Sequence, residues 1–336
     1  MIWHPFELTR RLIDIESITP NEFEVGNFLA DRLGELARRF QGHLERMPVE
    51  PDRDNIFVRF GEPIVTLSTH TDTVPPFIPS SEDDRNIWGR GACDTKGIIA
   101  AMIAAAEELL ASGTRNFGML FVVGEERNSA GAYAAAASPR GSKFLINGEP
   151  TENKLALGSK GALRHEIVAR GRMAHSAYPE LGESAIEKLL NALDRIRRIG
   201  LPVDPTLGPS TLNIGTISGG LAPNVIPHEA RAETFIRVVG DVADLRKQME
   251  GAAHPDAEAQ EVLFIPAVRL GSLDGFEYTV VAFTTDIPAF GDTWGKPFLI
   301  GPGSIHVAHT SGEHIPKSQL LEAVTLYRQL VERLLK

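Results

Sequence analysis

Cysteine is nearly absent from this chain: among 336 residues Cys93 stands alone. A lone thiol excludes an internal disulfide and a cysteine-rich zinc module, so any metal must be held by histidine and carboxylate side chains. Positive charge is also short, with 34 Lys plus Arg against 44 Asp plus Glu and a formal net charge of −10. No basic run interleaves with aromatics, which speaks against a nucleic-acid partner. Apolar runs never approach the ~20 residues of a membrane helix. The opening MIWHPFELTRR lacks the ordered charged, apolar and small-residue regions of a signal peptide. The expectation is a soluble, cytoplasmic protein that meets no membrane. The remainder, 43% apolar and 23% charged residues at a mean hydropathy near zero, is an ordinary globular composition. At roughly 150 residues per domain, this length predicts about two domains.

Two patterns follow one another along the chain. The first alternates helix and strand: amphipathic helical spacing over 5–15 and 22–40, β-runs over 55–60 and 64–68, an Ala-rich helix over 97–111, and strands over 116–123 and 144–147. Such alternation predicts an α/β fold with a mostly parallel sheet. From about Ser159 the pattern reads as a smaller α+β unit, with strands over 162–169, 211–217 and 229–239 and helices over 183–199 and 242–249. A strand over 278–283 and a final amphipathic helix over 316–335 then look like the first domain resuming. The predicted organisation is therefore a first domain over 1–158 and 268–336, with a second unit inserted over 159–267.

Five segments carry chemistry-bearing side chains, four of them beside predicted strand ends or helix starts. THTDTV (69–74) follows the run 64–67 and offers His70 and Asp72, two apart, so continued strand geometry points them the same way. A carboxylate behind a histidine is a common metal-site arrangement, because it fixes the ring and raises its basicity; a polar surface turn is the bland alternative. GRGACDTKG (89–97) sets Asp94 ahead of the Ala-rich helix, where an N-cap role competes with ligation. The same segment carries Cys93, a rival nucleophile. Neither Walker A nor GxGxxG spacing is present. GEE (124–126) places Glu125 and Glu126 after an apolar strand. Paired carboxylates there are costly unless a cation or a proton neutralises them, and one could ligate while the other serves as general base. NGEPT (147–151) brings Glu149 to another strand end, and GPGSIHVAHTSGEH (301–314) carries His306, His309 and His314. Spacing does not choose among these three. The set of nitrogen and oxygen donors without sulfur suits zinc, cobalt or manganese.

Taken in order, THTDTV, GRGACDTKG, GEE, GEPT and GPGSIHVAH resemble the motifs of the co-catalytic zinc deacylase and exopeptidase family that includes acetylornithine deacetylase, succinyl-diaminopimelate desuccinylase, aminoacylase-1 and carboxypeptidase G-type enzymes. The likeness spans nearly the whole chain. It implies two divalent metal ions, zinc with cobalt or manganese as substitutes, bridged by Asp94. His70 and Glu149 complete one site, Glu126 and His309 the other. It further implies Glu125 as general base and Asp72 as the residue orienting His70. Glu rather than Asp at position 149 is the pattern of deacylases and carboxypeptidase-like members.

The resemblance continues through the inserted unit. GRMAHSAYPE (171–180) is similar to the family's lid segment and implies that His175 holds the oxyanion, in many relatives within the partner subunit of a homodimer. The segment 222–227 implies substrate binding by Asn224, and Arg237 matches the arginine that pairs with a substrate carboxylate. Thr95 departs from the pattern, standing where many relatives have Met. The segment 270–291 is short, which leaves the surroundings of Thr284, Thr285 and Asp286 open. The expected activity is hydrolysis of an N-acyl amino acid, N-acetylornithine or N-acetylcitrulline foremost. Desuccinylation of succinyl-diaminopimelate, release of lysine or ornithine from a carrier protein, and dipeptidase or carboxypeptidase action are the alternatives within hydrolases. A metal-dependent binding protein without catalysis and a Cys93-dependent hydrolase are the alternatives of other classes.

Overall fold

The computed structural model describes residues 4–336; Met1–Trp3, part of the N-terminal stretch read above for targeting signals, lie outside the described residues. The chain divides into two compact units. Among the described residues the first comprises 4–157, 270–279 and 285–336, the second 158–269 and 280–284. The run over 278–283, expected to open the returning first domain, is therefore split. Its strand is Tyr278–Val281, and Val281 accepts the main-chain N–H of Lys160 at 3.0 Å, which ties this end of it to the second unit.

The first unit is built on a six-stranded sheet in the order His43–Glu50, Arg53–Phe60, Phe117–Val122, Val65–His70, Phe144–Asn147, Lys296–Leu299. The last four of these run parallel to one another, while the first two pair antiparallel. The sheet is thus mixed, with its parallel part where the candidate residues lie. Strands Val65–His70 and Phe117–Val122 are buried along their whole length, as continuous apolar runs in a covered parallel sheet must be. Helix Gly97–Ala111 is buried on almost every side through Ile98, Ile99, Met102, Ile103, Leu109 and Leu110. It packs against the terminal helix Lys317–Leu334, whose Leu320, Tyr327 and Leu330 enter the same core.

The second unit is a four-stranded antiparallel sheet, Thr211–Gly219, Glu229–Val238, Gly161–Arg170, Ala257–Ile265 in that order, with helices Ala185–Ile196 and Ala243–Ala253 packed on it. Leu163, Ile167, Ile236, Leu189, Leu193, Leu245 and Met249 form its own core. Burial alternates strictly along Glu229–Val238, the signature of a strand with one covered face. The strands that escaped the sequence reading include Leu155–Ser159 and Lys296–Leu299, and also the pair His43–Glu50 and Ala257–Ile265. Both members of that pair are sheet edges, and along His43–Glu50 only Met47 is buried. Among the described residues no helix is long and apolar enough to cross a membrane.

Candidate metal centre

Four adjacent parallel strands share one carboxyl edge, and the acids and histidines of the sequence motifs gather there, as ligand groups do in α/β sheets. His70 is the last residue of Val65–His70. Glu125 and Glu126 follow Phe117–Val122 across Gly124, whose φ of 80° turns the chain at that point. Glu149 follows Phe144–Asn147, and His309 lies in the loop after Lys296–Leu299. Asp94 comes from the segment before helix Gly97–Ala111. It does not cap that helix, whose N-cap is Lys96 and whose first turn receives no side-chain capping bond; its carboxylate faces the histidines instead.

Asp94 joins two groups of potential ligands. His70, Asp94 and Glu149 form one, and Asp94, Glu126 and His309 the other; within each group the ligand atoms lie within 4.8 Å of one another. The two oxygens of Asp94 divide the work: Oδ1 stands 3.0 Å from His70 Nε2, and Oδ2 stands 3.2 Å from His309 Nε2. His309 Nε2 is also 3.0 Å from Glu126 Oε1. His306 and His314 join neither group. His306 is exposed, and His314 packs on Trp88 with ring centroids 4.3 Å apart.

Asp72 departs from the expected strand geometry, because the strand ends at His70. Its main-chain oxygen lies 2.9 Å from His70 Nδ1, nearer than its carboxylate at 3.5 Å. The carboxylate instead accepts the main-chain N–H groups of Glu125 and Glu126 and the hydroxyl of Thr19. Thr95, the departure from the family pattern, donates its hydroxyl to the main-chain oxygen of His70 at 2.7 Å, so the change supplies a tether between the Asp94 segment and the His70 strand.

The electrostatics show a site rich in negative charge. Burial opposes the charge on His70, but Asp72 and Asp94 hold its pKa well above the usual imidazole range. Burial also works against ionised Asp94, which His309 and His70 nevertheless keep well below the usual carboxylate range. Bonds to Asp94 and Glu126 push His309 up to about 10. Burial pushes Glu125 and Glu149 far up, and neighbouring acids add to the effect. Asp286, which sequence reasoning left open, is buried beside this cluster and pushed up to about 7 by burial, against the pull of Ser129. Glu149 Oε1 and Asp286 Oδ1 are buried with no hydrogen-bond partner. Orphaned carboxylate oxygens in a cluster where acids outnumber histidines are what divalent cations satisfy, so the residues present fit such ions.

A family model of "Peptidase family M20/M25/M40" matches residues 66–333. The chain belongs to this family. As a member of the M20/M25/M40 family it is a metal-dependent hydrolase acting on amide bonds. A "Peptidase M20 domain-containing protein" of Schizosaccharomyces pombe is 39% identical over 334 residues, covering 96% of this chain and 83% of that protein. A "Probable carboxypeptidase" of Aspergillus flavus is 38% identical over 374 residues, covering 97% and 86%. Among solved structures, the aminopeptidase PepT from Bacillus cereus shares the fold with a TM-score of 0.81 at 18% identity, covering 99% of this chain and 98% of that one. The M20 family metallo-carboxypeptidase Sso-CP2 from Sulfolobus solfataricus does so with a TM-score of 0.75 at 16% identity, covering 99% of each.

On the second unit, two short paired strands bring His175 opposite Val225, and Asn224 accepts the N–H of Ser176 at 3.0 Å. His175 Nδ1 accepts the N–H of Ala177 at 3.1 Å, which leaves its proton on Nε2 and makes that nitrogen a donor. Arg237, in strand Glu229–Val238, lies over the Phe235 ring at 4.7 Å, and no acid pairs with it among the described residues.

Proposed function

We propose that this protein is a two-cation hydrolase that releases the C-terminal residue of a small peptide, with the free α-carboxylate of the substrate as a recognition element. The observation that carries the reading is Asp94, whose two carboxylate oxygens face separate ligand groups. His70 and Glu149 would hold one cation with Asp94, and Glu126 and His309 the other. Zinc is the ion the nitrogen and oxygen donors suit, with cobalt or manganese as substitutes. When bound, such ions polarise a scissile carbonyl and bring the pKa of water towards about 7. Glu125 takes a proton from the attacking water as the C–O bond forms, then delivers it to the leaving nitrogen as the C–N bond breaks. His175 donates from Nε2 to the developing oxyanion. Asn224 contacts the substrate, and Arg237, which no acid pairs with among the described residues, donates bidentately to its carboxylate. Fungal relatives named as carboxypeptidases support peptides over acylated amino acids.

The unit carrying His175 supports a homodimer. Strand Thr211–Gly219 is an unpaired edge of its sheet, Ile217 is 56% exposed on it, and Leu190 is 47% exposed on helix Ala185–Ile196. A second copy adding its own edge would cover these, and the family resemblance implies that His175 then serves the partner's reaction. The fully buried Cys93 thiol suits a reducing, cytoplasmic setting.

Deacylation of N-acetylornithine or N-acetylcitrulline is a second reading, supported by the likeness of the GEPT and GPGSIHVAH motifs to the acetylornithine and acetylcitrulline deacetylase branch. One experiment separates the two. The protein is stripped of metal and assayed before and after zinc is restored, on dipeptides, N-terminally blocked peptides, N-acetyl and N-succinyl amino acids. Zinc-dependent release of C-terminal residues supports the first reading. Turnover confined to acylated amino acids overturns it in favour of the second. No turnover with zinc bound favours a binding protein.

A further inference from the structure

The two loops that carry Asp94 and His309 are fastened together by one carboxylate. Glu313 lies four residues after His309, and its side chain is fully buried. Its Oε1 accepts the main-chain N–H groups of Cys93 and Asp94, each at 3.3 Å. Its Oε2 accepts from Arg90 Nη1 at 2.5 Å. Arg90 is 2% exposed on its side chain and also donates from Nε to the main-chain oxygen of Pro76 at 3.3 Å. The loops approach so closely that a Cβ at Gly303 would stand 2.4 Å from that of Cys93. A buried carboxylate bonded to two main-chain N–H groups and one guanidinium holds its partners far more rigidly than an exposed pair does.

We propose that Glu313, with Arg90 as its counter-charge, is a positioning residue that sets Asp94 against His309 and so tunes the cation site of Asp94, Glu126 and His309 more than the site of His70, Asp94 and Glu149. Both ends of the fastening lie in the first of these sites. His70 instead ends one strand and Glu149 follows its neighbour, a pair whose register, Leu67 opposite Ile146 and Ser68 opposite Asn147, is fixed by the sheet without Glu313. The inference rests on the two-cation reading above.

The test is competitive zinc titration of the metal-free protein against a chromophoric chelator, with thermal unfolding recorded on the same samples. In Glu313→Ala, one zinc equivalent is expected to weaken about 10–100-fold, the range typical when a group that orients a ligand is lost, while the other changes less than about threefold. Because Glu313→Ala strands a buried guanidinium, the pair Arg90→Met with Glu313→Leu removes the fastening without leaving a lone charge, and the same unequal weakening is expected. Arg90→Met with Glu313→Gln restores an acceptor for the two N–H groups and should recover most of the lost affinity. Equal weakening of both equivalents, or a lower Tm with both affinities unchanged, overturns the proposal. Wild-type protein that binds fewer than two equivalents overturns the two-cation reading itself, and this inference with it.

Discussion

The carboxylate of Asp72 accepts the main-chain N–H of Glu125 through Oδ1 and that of Glu126 through Oδ2, each at 3.1 Å. One buried side chain thus aims two adjacent acids whose roles differ. Burial opposes its charge, but His70, the Thr19 hydroxyl at 2.6 Å and the Glu126 N–H keep its pKa below the usual carboxylate range. Asp72→Asn preserves the shape but turns an amide donor towards one of the two N–H groups. Activity is expected to fall about 10–100-fold, with a loss of about 1–3 kcal/mol in stability for the unsatisfied buried donor. Steady-state kinetics and denaturant unfolding check both, and a variant with wild-type kcat would remove Asp72 from the positioning of Glu125.

Glu125 belongs to neither ligand group, although Glu126 beside it belongs to one. Its carboxyl is pushed up by burial and by the acids around it, Asp286 among them, so the side chain is made a better proton acceptor than an exposed glutamate. Glu125→Gln should lower kcat about 10²–10⁴-fold, the usual contribution of a general base. Metal content by atomic emission should stay at the wild-type value. A simultaneous loss of metal would make Glu125 a ligand instead.

The site was more legible in the sequence than its wiring. His70, Glu126 and Glu149 each follow an apolar strand-forming run, and a parallel sheet has to bring such strand ends to one edge, so motif position carried the information. Asp94 was visible as an acid among glycines, but its choice between a helix cap and the histidines depends on main-chain conformation: Asp94 has φ −127° and ψ 81°, outside the helix that follows. Glu313 was passed over and the surroundings of Asp286 were left open, because long-range contacts give both their significance. Glu313 bonds to residues about 220 positions away, and no local spacing encodes that. The edge strands His43–Glu50 and Ala257–Ile265 escaped for the converse reason, since a strand with little buried surface has little apolar alternation to display.

His175 offers a sharper contrast between catalysis and metal binding. The Ala177 N–H occupies Nδ1, so Nε2 carries the proton available to an oxyanion. Removing one such donor typically costs about 2.7–4 kcal/mol in the barrier. His175→Ala should therefore lower kcat about 10²–10³-fold while zinc stoichiometry and Tm stay as in wild type. Unchanged kcat would take the oxyanion role away from this residue.

Cys93 separates metal chemistry from thiol chemistry. The side chain is fully buried, and burial together with Glu313 and Asp94 pushes the thiol far above its ordinary range, the opposite of what a nucleophilic cysteine needs. Iodoacetamide at neutral pH should leave activity intact, whereas a strong chelator should abolish it until zinc is returned. Inactivation by the alkylating agent, with Cys93 found modified by mass spectrometry, would reverse the assignment.

The second unit has its own pH sensitivity. His165 is 2% exposed in strand Gly161–Arg170, and its Nδ1 has no partner. Burial, only partly offset by Glu261, holds its pKa below the usual imidazole value. The unfolded chain takes up this proton near pH 6.5, while the folded chain resists until lower pH. Between those two values the unfolded state binds more protons, so stability falls as pH falls, by up to about 1.4 kcal/mol per pH unit from this one group. Thermal unfolding of wild type should therefore shift downward between pH 7.5 and 5.5. His165→Leu removes the titrating ring and should flatten that dependence, and parallel curves for the two proteins would mean that other groups carry the acid sensitivity.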